Sequence, residues 1–109
     1  MNRLTPWVMP IVLVLSAAQV AQAAEPTPQP QAAAACAACH GPGGNQPVSP
    51  DTPRLAGQES SYLVHALGQY RDGTRQNPIM GAMAKSLSDS QIEELARYFA
   101  AQPGLRVKY

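Results

Sequence analysis

The order of apolar and polar positions divides the chain into three parts: an apolar start, a middle with no buried face, and a helical second half. Trp7 to Leu15 is an apolar stretch interrupted only by Pro10. Glu25 to Gln31 (EPTPQPQ) places proline at alternate positions, which predicts an extended segment without a packed face. Gln31 to Cys39 is almost all alanine and predicts two turns of helix. Gly41 to Gln58 holds four prolines and four glycines in 18 residues, a loop whose length points to function or disorder, and its start at a cysteine motif favours function.

Beyond Gln58 the apolar period becomes helical. In Ser60 to Asp72, Leu63, Leu67 and Tyr70 recur at i, i+4 and i+7, and Gly73 supplies a stop. Ser88 followed by Gln91 is a capping-box pattern. It opens a stripe of Ile92, Leu95, Ala96, Phe99 and Ala100 that ends at Pro103-Gly104. Asp89, Glu93 and Glu94 sit in its first turns, where the helix dipole favours negative charge. Between these helices Gly73 to Asn77 is polar, Pro78 disfavours helix at Asn77, and Met80 to Leu87 predicts a short helix. No alternating strand pattern and no repeat occurs. The expected fold is all-α, with three to four short helices.

Arg3, the apolar stretch and Ala21-Gln22-Ala23 have the layout of a secretory signal peptide cleaved after Ala23. A retained anchor helix is the alternative, against which stand the shortness of the stretch and Pro10. The expected division is 1–23 signal peptide, 24–31 proline-rich lead-in and 32–109 a single domain, with export to the periplasm. The whole chain of 109 residues carries a net charge of +1, and from Ala24 onward seven basic side chains balance seven acidic ones. Such a balance argues against a nucleic-acid partner. The same part of the chain has 18 large apolar or aromatic residues and 14 alanines, little material for a core. A domain of this size is marginal by itself, so a large, covalently held apolar cofactor is expected to fill its centre.

Cys36-Ala37-Ala38-Cys39-His40 supplies the attachment chemistry. Two thiols three positions apart on a helical turn face the same way and can form thioethers with the two vinyl groups of a haem, while His40 offers an imidazole nitrogen to the iron. The alanines between them let the porphyrin lie close to the main chain. Three other readings of the pair are weaker. A thioredoxin-like disulfide needs a βαβ context, a closed zinc site needs more ligands than His40 and His65 can complete, and a structural disulfide across so small a loop constrains little. The second axial position is open to Met80, Met83 or His65, or is left free. Met80 follows Asn77-Pro78-Ile79, where the proline stiffens an extended approach to a short helix. Met83 lies between Ile79 and Leu87 at i+4 spacing, as a packing residue would, and His65 falls on the helix face away from Leu63, Leu67 and Tyr70.

The order of CxxCH, proline-glycine loop, helix, methionine after a proline and C-terminal helix resembles the class I c-type cytochromes. The stretches CAACHGPGGN, PRLAGQESSYL, YRDGTRQNPIM and LSDSQIEELARYFA are similar to one half of the diheme periplasmic cytochromes. The resemblance covers Cys36 to Gln102 and implies a small class I cytochrome c fold around one covalently bound haem c. It implies attachment through Cys36 and Cys39 and iron ligation by His40 and Met80, the methionine lying seven positions before the Leu87-Ser88 that opens the last helix. It further implies that the carbonyl of Pro53, in Pro53-Arg54-Leu55, meets the second nitrogen of His40. The family's longer N-terminal helix is cut short here by Pro30, which predicts a weak crossing with the C-terminal helix.

The function so implied is one-electron carriage, not enzymatic catalysis. The expected partners are redox proteins such as membrane oxidases, reductases or dehydrogenases, with association at a membrane complex among the possibilities. Two alternatives accompany it: a five-coordinate haem that binds gases or reacts with peroxide, and a haem subunit of a larger dehydrogenase tethered by the proline-rich segment. Only Lys85 and Lys108 remain as lysines after the leader, so docking is expected to depend modestly on salt. Arg54, Gln58, Tyr62 and Asn77 are candidates for hydrogen bonds to haem propionates or to the ligands.

Overall fold

A computed structural model describes residue 10 and residues 28–104 of the chain. Apart from Pro10, the expected signal peptide and the first part of the lead-in lie outside the described residues, as do the last five residues. Among the described residues four α-helices follow one another: α1 (Ala33–His40), α2 (Ser60–Asp72), α3 (Pro78–Lys85) and α4 (Asp89–Ala101). Among the described residues there is no strand, and no helix is long and apolar enough to cross a membrane.

Helix α1 has the expected two turns but starts two residues later and ends one residue later than the alanine-rich stretch predicts, and the Pro30 carbonyl accepts from Ala33 N–H at 3.0 Å. The helix stops at Gly41, whose φ of 80° and close approach to the Gln46 main chain both exclude a side chain. The long loop is held by main-chain bonds at both ends. Gln46 and Val48 donate to the carbonyls of His40 and Cys39 at 3.2 and 2.9 Å. Leu55 and Ala56 donate to Gly44, and Gly57 donates to Phe99 of α4 at 2.9 Å. A loop rich in glycine and proline is thereby fixed between α1 and α4.

Helix α2 has the bounds the sequence predicts and ends at Gly73 in the left-handed region. It packs on α3 and α4, and Arg71 pairs with Asp89 at 2.6 Å at the start of α4. The α4 capping box forms as predicted: Gln91 N–H donates to Ser88 Oγ at 3.2 Å, and Ser88 N–H donates to Gln91 Oε1 at 2.9 Å. Its buried stripe is Ile92, Leu95, Ala96 and Phe99, joined by Tyr98, whose ring meets Phe99 edge-on at 5.1 Å.

Helix α3 differs from the expectation of Met80 to Leu87: it begins two residues earlier and ends two residues earlier. Proline has the φ and the missing N–H that suit the first helical position, and the Asn77 side chain caps the turn in front of it. At the other end Ser86 Oγ donates to the Met83 carbonyl at 2.7 Å. Met80 therefore sits inside the first turn of the helix rather than at its first position.

The core is as thin as the composition suggests. Among the described residues, five of the ten buried apolar residues are alanines, and Leu95 is the largest side chain that is completely enclosed. Helix α1 reaches the cluster of Leu63, Leu95, Ala96, Tyr98 and Phe99 with one buried residue, Ala33, flanked by half-buried Ala32 and Cys36. Val48, Tyr62, Val64 and Ile79, counted among the core material in the sequence, are exposed.

Candidate haem site

The end of α1 carries both cysteines and His40. The imidazole is buried, at 5% exposure, and its Nδ1 lies 2.7 Å from the Pro53 carbonyl oxygen. A carbonyl can only accept, so the proton of the neutral ring sits on Nδ1 and Nε2 keeps a free lone pair for a metal. Both cysteines are free thiols. Cys36 is half-buried and its Sγ donates to the Ala32 carbonyl at 3.7 Å, and burial pushes its thiol pKa up. Cys39 is exposed.

Two adjoining cavities of about 310 and 210 Å³ open beside these residues. Cys39, His40, Leu63, Leu67, Ile79 and Met80 line both, so the two form one space divided by shared walls. The first compartment is bounded by Cys36, Met83, Leu87, Leu95 and Phe99, with Ser86 and Gln91 its additional polar residues. The second has a polar rim that includes Asp51, Thr52, Arg54, Gln58, Tyr62, Arg75 and Asn77. All four residues expected to bond haem propionates or ligands stand on that rim.

The three candidates for the second axial position are separated by this geometry. Met80 lines both compartments, as His40 does, whereas Met83 lines only the first. His65 is exposed on α2 and faces a shallow groove between α2 and α4 that contains neither His40 nor a cysteine. Ile79, which the i+4 spacing grouped with Met83 and Leu87 as packing, forms cavity wall and is 67% exposed.

A buried imidazole with a free nitrogen, two free thiols, a thioether on the same space and largely apolar walls suit a large planar apolar group with two points of attachment. Among the described residues no group of three or more His, Cys, Asp or Glu side chains is placed to hold a metal ion by itself.

Arg75 is the rim cation that sequence reasoning missed. Its guanidinium donates to Tyr62 Oη at 3.2 Å and lies 5.0 Å from the centre of the Tyr70 ring, and the hydroxyl bond to Tyr62 raises its pKa further. In the sequence it belongs to a short polar stretch whose turn chemistry alone is visible.

The profile of the cytochrome c family matches residues 29–102, and the chain belongs to that family. Its cofactor is a covalently attached haem c. Cytochrome c4 of Pseudomonas aeruginosa is 39% identical over 94% of this chain and 49% of its own length. The thiosulfate dehydrogenase electron acceptor of Thiomonas intermedia is 45% identical over 65% of this chain and 33% of its own. Cytochrome c-554(548) of Halomonas halodenitrificans is 41% identical over 62% of this chain and 83% of its own. The chain thus spans between about a third and a half of the first two of these relatives. The match of nearly the whole chain to half of a cytochrome c4 agrees with the resemblance read from the motifs.

Proposed function

We propose that this protein is a one-electron carrier, exported by its N-terminal leader and working between redox proteins outside the cytoplasm. Bound haem c supplies a reversible Fe(II)/Fe(III) couple. Cys36 and Cys39 would hold it by thioethers, and His40 Nε2 and the Met80 sulfur would be the ligands offered to its iron. The observation that carries this reading is that Met80 and His40 line the same two compartments.

With both ligand positions of the iron taken by side chains, no site would be left for a substrate, and the protein's part would be to hold the same ligands in both oxidation states. The soft methionine sulfur favours the reduced iron, and the apolar walls act in the same direction by disfavouring the extra charge of the oxidised centre. Arg54 and Arg75 are the cations on the rim available to the haem carboxylates. The expected partners are membrane oxidases, reductases or dehydrogenases. Similarity to a protein named for accepting electrons from thiosulfate dehydrogenase supports a dehydrogenase as one donor.

The test is a redox titration of the holoprotein together with exposure of its reduced form to carbon monoxide. A single reversible one-electron wave and an unchanged spectrum under carbon monoxide are expected. Ready carbon monoxide binding by the native protein would replace this reading with a gas-binding or peroxide-reacting haem.

A further inference from the structure

Every main-chain N–H in the first turn of α3 that needs a partner finds it on Asn77. Pro78 has no N–H to satisfy. The Asn77 Oδ1 accepts from the N–H groups of Ile79 and Met80, each at 3.0 Å, and the Asn77 carbonyl accepts from Gly81 at 2.7 Å. Asn77 has φ −154° and ψ 123°, the extended conformation that a following proline enforces and that an N-cap residue needs. Its side chain also lines the polar compartment next to Met80.

A helix of eight residues has little stability of its own, so the geometry of its first turn depends on the cap and on packing. Packing against α2 is close at Gly81, where a Cβ would lie 3.7 Å from the Tyr70 carbonyl oxygen. Met80 is the third residue of α3, and its own N–H is one of the two that the Asn77 side chain holds.

We propose that Asn77 is a positioning residue for the axial methionine: its cap fixes the main chain at Met80 so that the sulfur remains on the iron against competing ligands. This rests on the assignment of Met80 as the second axial ligand. Ordering of the turn is supplied by the cap before the sulfur binds, so loss of the cap transfers that cost to the iron–sulfur bond.

The experiment compares the holoprotein with its Asn77→Ala, Asn77→Asp and Met80→Ala variants. The weak far-red sulfur-to-iron absorption band is followed during titration with imidazole and during heating, and far-UV circular dichroism reports the helices. Asn77→Ala is expected to lose the band at about fivefold lower imidazole, the factor carried by one helix cap, and at a lower temperature than its helical signal. Asn77→Asp is expected to follow the natural protein, because a carboxylate accepts the same two N–H groups.

Should Asn77→Ala fail to mature, Asn77→Gln serves in its place, keeping the amide but with a side chain too long to cap. An unchanged imidazole titration in the capless variant, or an Asn77→Asp variant as weakened as Asn77→Ala, would overturn the positioning role while leaving Met80 as ligand. A natural protein without the band, or a Met80→Ala variant that keeps it, would overturn both.

Discussion

His40 and Pro53, 13 positions apart, are joined by one hydrogen bond of 2.7 Å from the imidazole Nδ1 to the proline carbonyl. The glycine- and proline-rich loop between them turns at Gly41, runs back along the cysteine motif through Gln46 and Val48, and presents that carbonyl to the buried ring. The bond fixes both the tautomer and the orientation of the ring, which makes the loop part of the proposed iron site.

Loosening that carbonyl changes the iron. A hydrogen bond from Nδ1 to a carbonyl increases the donor strength of Nε2 and favours the oxidised metal. Pro53→Gly, which frees the main chain at this point, is expected to raise the reduction potential by at most about 60 mV, the equivalent of one hydrogen bond of about 0.5–1.5 kcal/mol. Potentiometry of the holoprotein measures it, and a lowered potential contradicts this role for the bond.

Gly44 joins the loop to α4. It has φ +73°, its carbonyl accepts from Leu55 and Ala56, and a Cβ there would lie 2.8 Å from Leu55 Cβ and 2.9 Å from Phe99 Cδ1. Gly44→Ala combines left-handed backbone strain with overpacking and is expected to destabilise the fold by about 2–4 kcal/mol. Denaturant unfolding monitored by circular dichroism gives the value, and a loss below about 1 kcal/mol would show that the loop yields at this point.

Asp72 gives a pH dependence of definite sign. Hydrogen bonds from Thr74, including its main-chain N–H at 2.8 Å, hold the Asp72 carboxyl below its ordinary pKa. A carboxylate with a folded-state pKa below its unfolded one stabilises the fold above the unfolded value, and that contribution is lost as pH falls through the folded value. Asp72→Ala is therefore expected to be less stable than the natural protein near neutral pH, by a small amount for so exposed a group, with the difference closing in acid. Unfolding midpoints across this range test it, and a difference that grows in acid reverses the sign.

Much of the fold is legible in the sequence because it depends on local chemistry. The bounds of α2 follow from the spacing of Leu63, Leu67 and Tyr70 and the stop at Gly73, and the start of α4 follows from Ser88 and Gln91. The start of α3 is misplaced when Pro78 is read only as a helix breaker. An Asn-Pro pair is also a cap followed by a first helical residue, and the bonds from Ile79 and Met80 to Asn77 decide for that meaning. Ile79 has the spacing of a packing residue but lines the cavity, a difference that periodicity cannot express. The bond between His40 and Pro53 was implied by family resemblance, since no local rule connects residues so far apart. Arg75 stayed hidden for a related reason: its partners Tyr62 and Tyr70 belong to α2, and only the fold brings the three together.

The proposed pairing of His40 with Met80 as ligands of the haem iron is tested most directly by the absorption spectrum of the matured, oxidised holoprotein. The natural protein and Met83→Ala are expected to show a c-type spectrum with the weak far-red sulfur-to-iron band, and Met80→Ala is expected to lose that band while keeping its covalently attached haem. A band that survives in Met80→Ala and disappears in Met83→Ala would contradict the pairing, as would its absence from the natural protein.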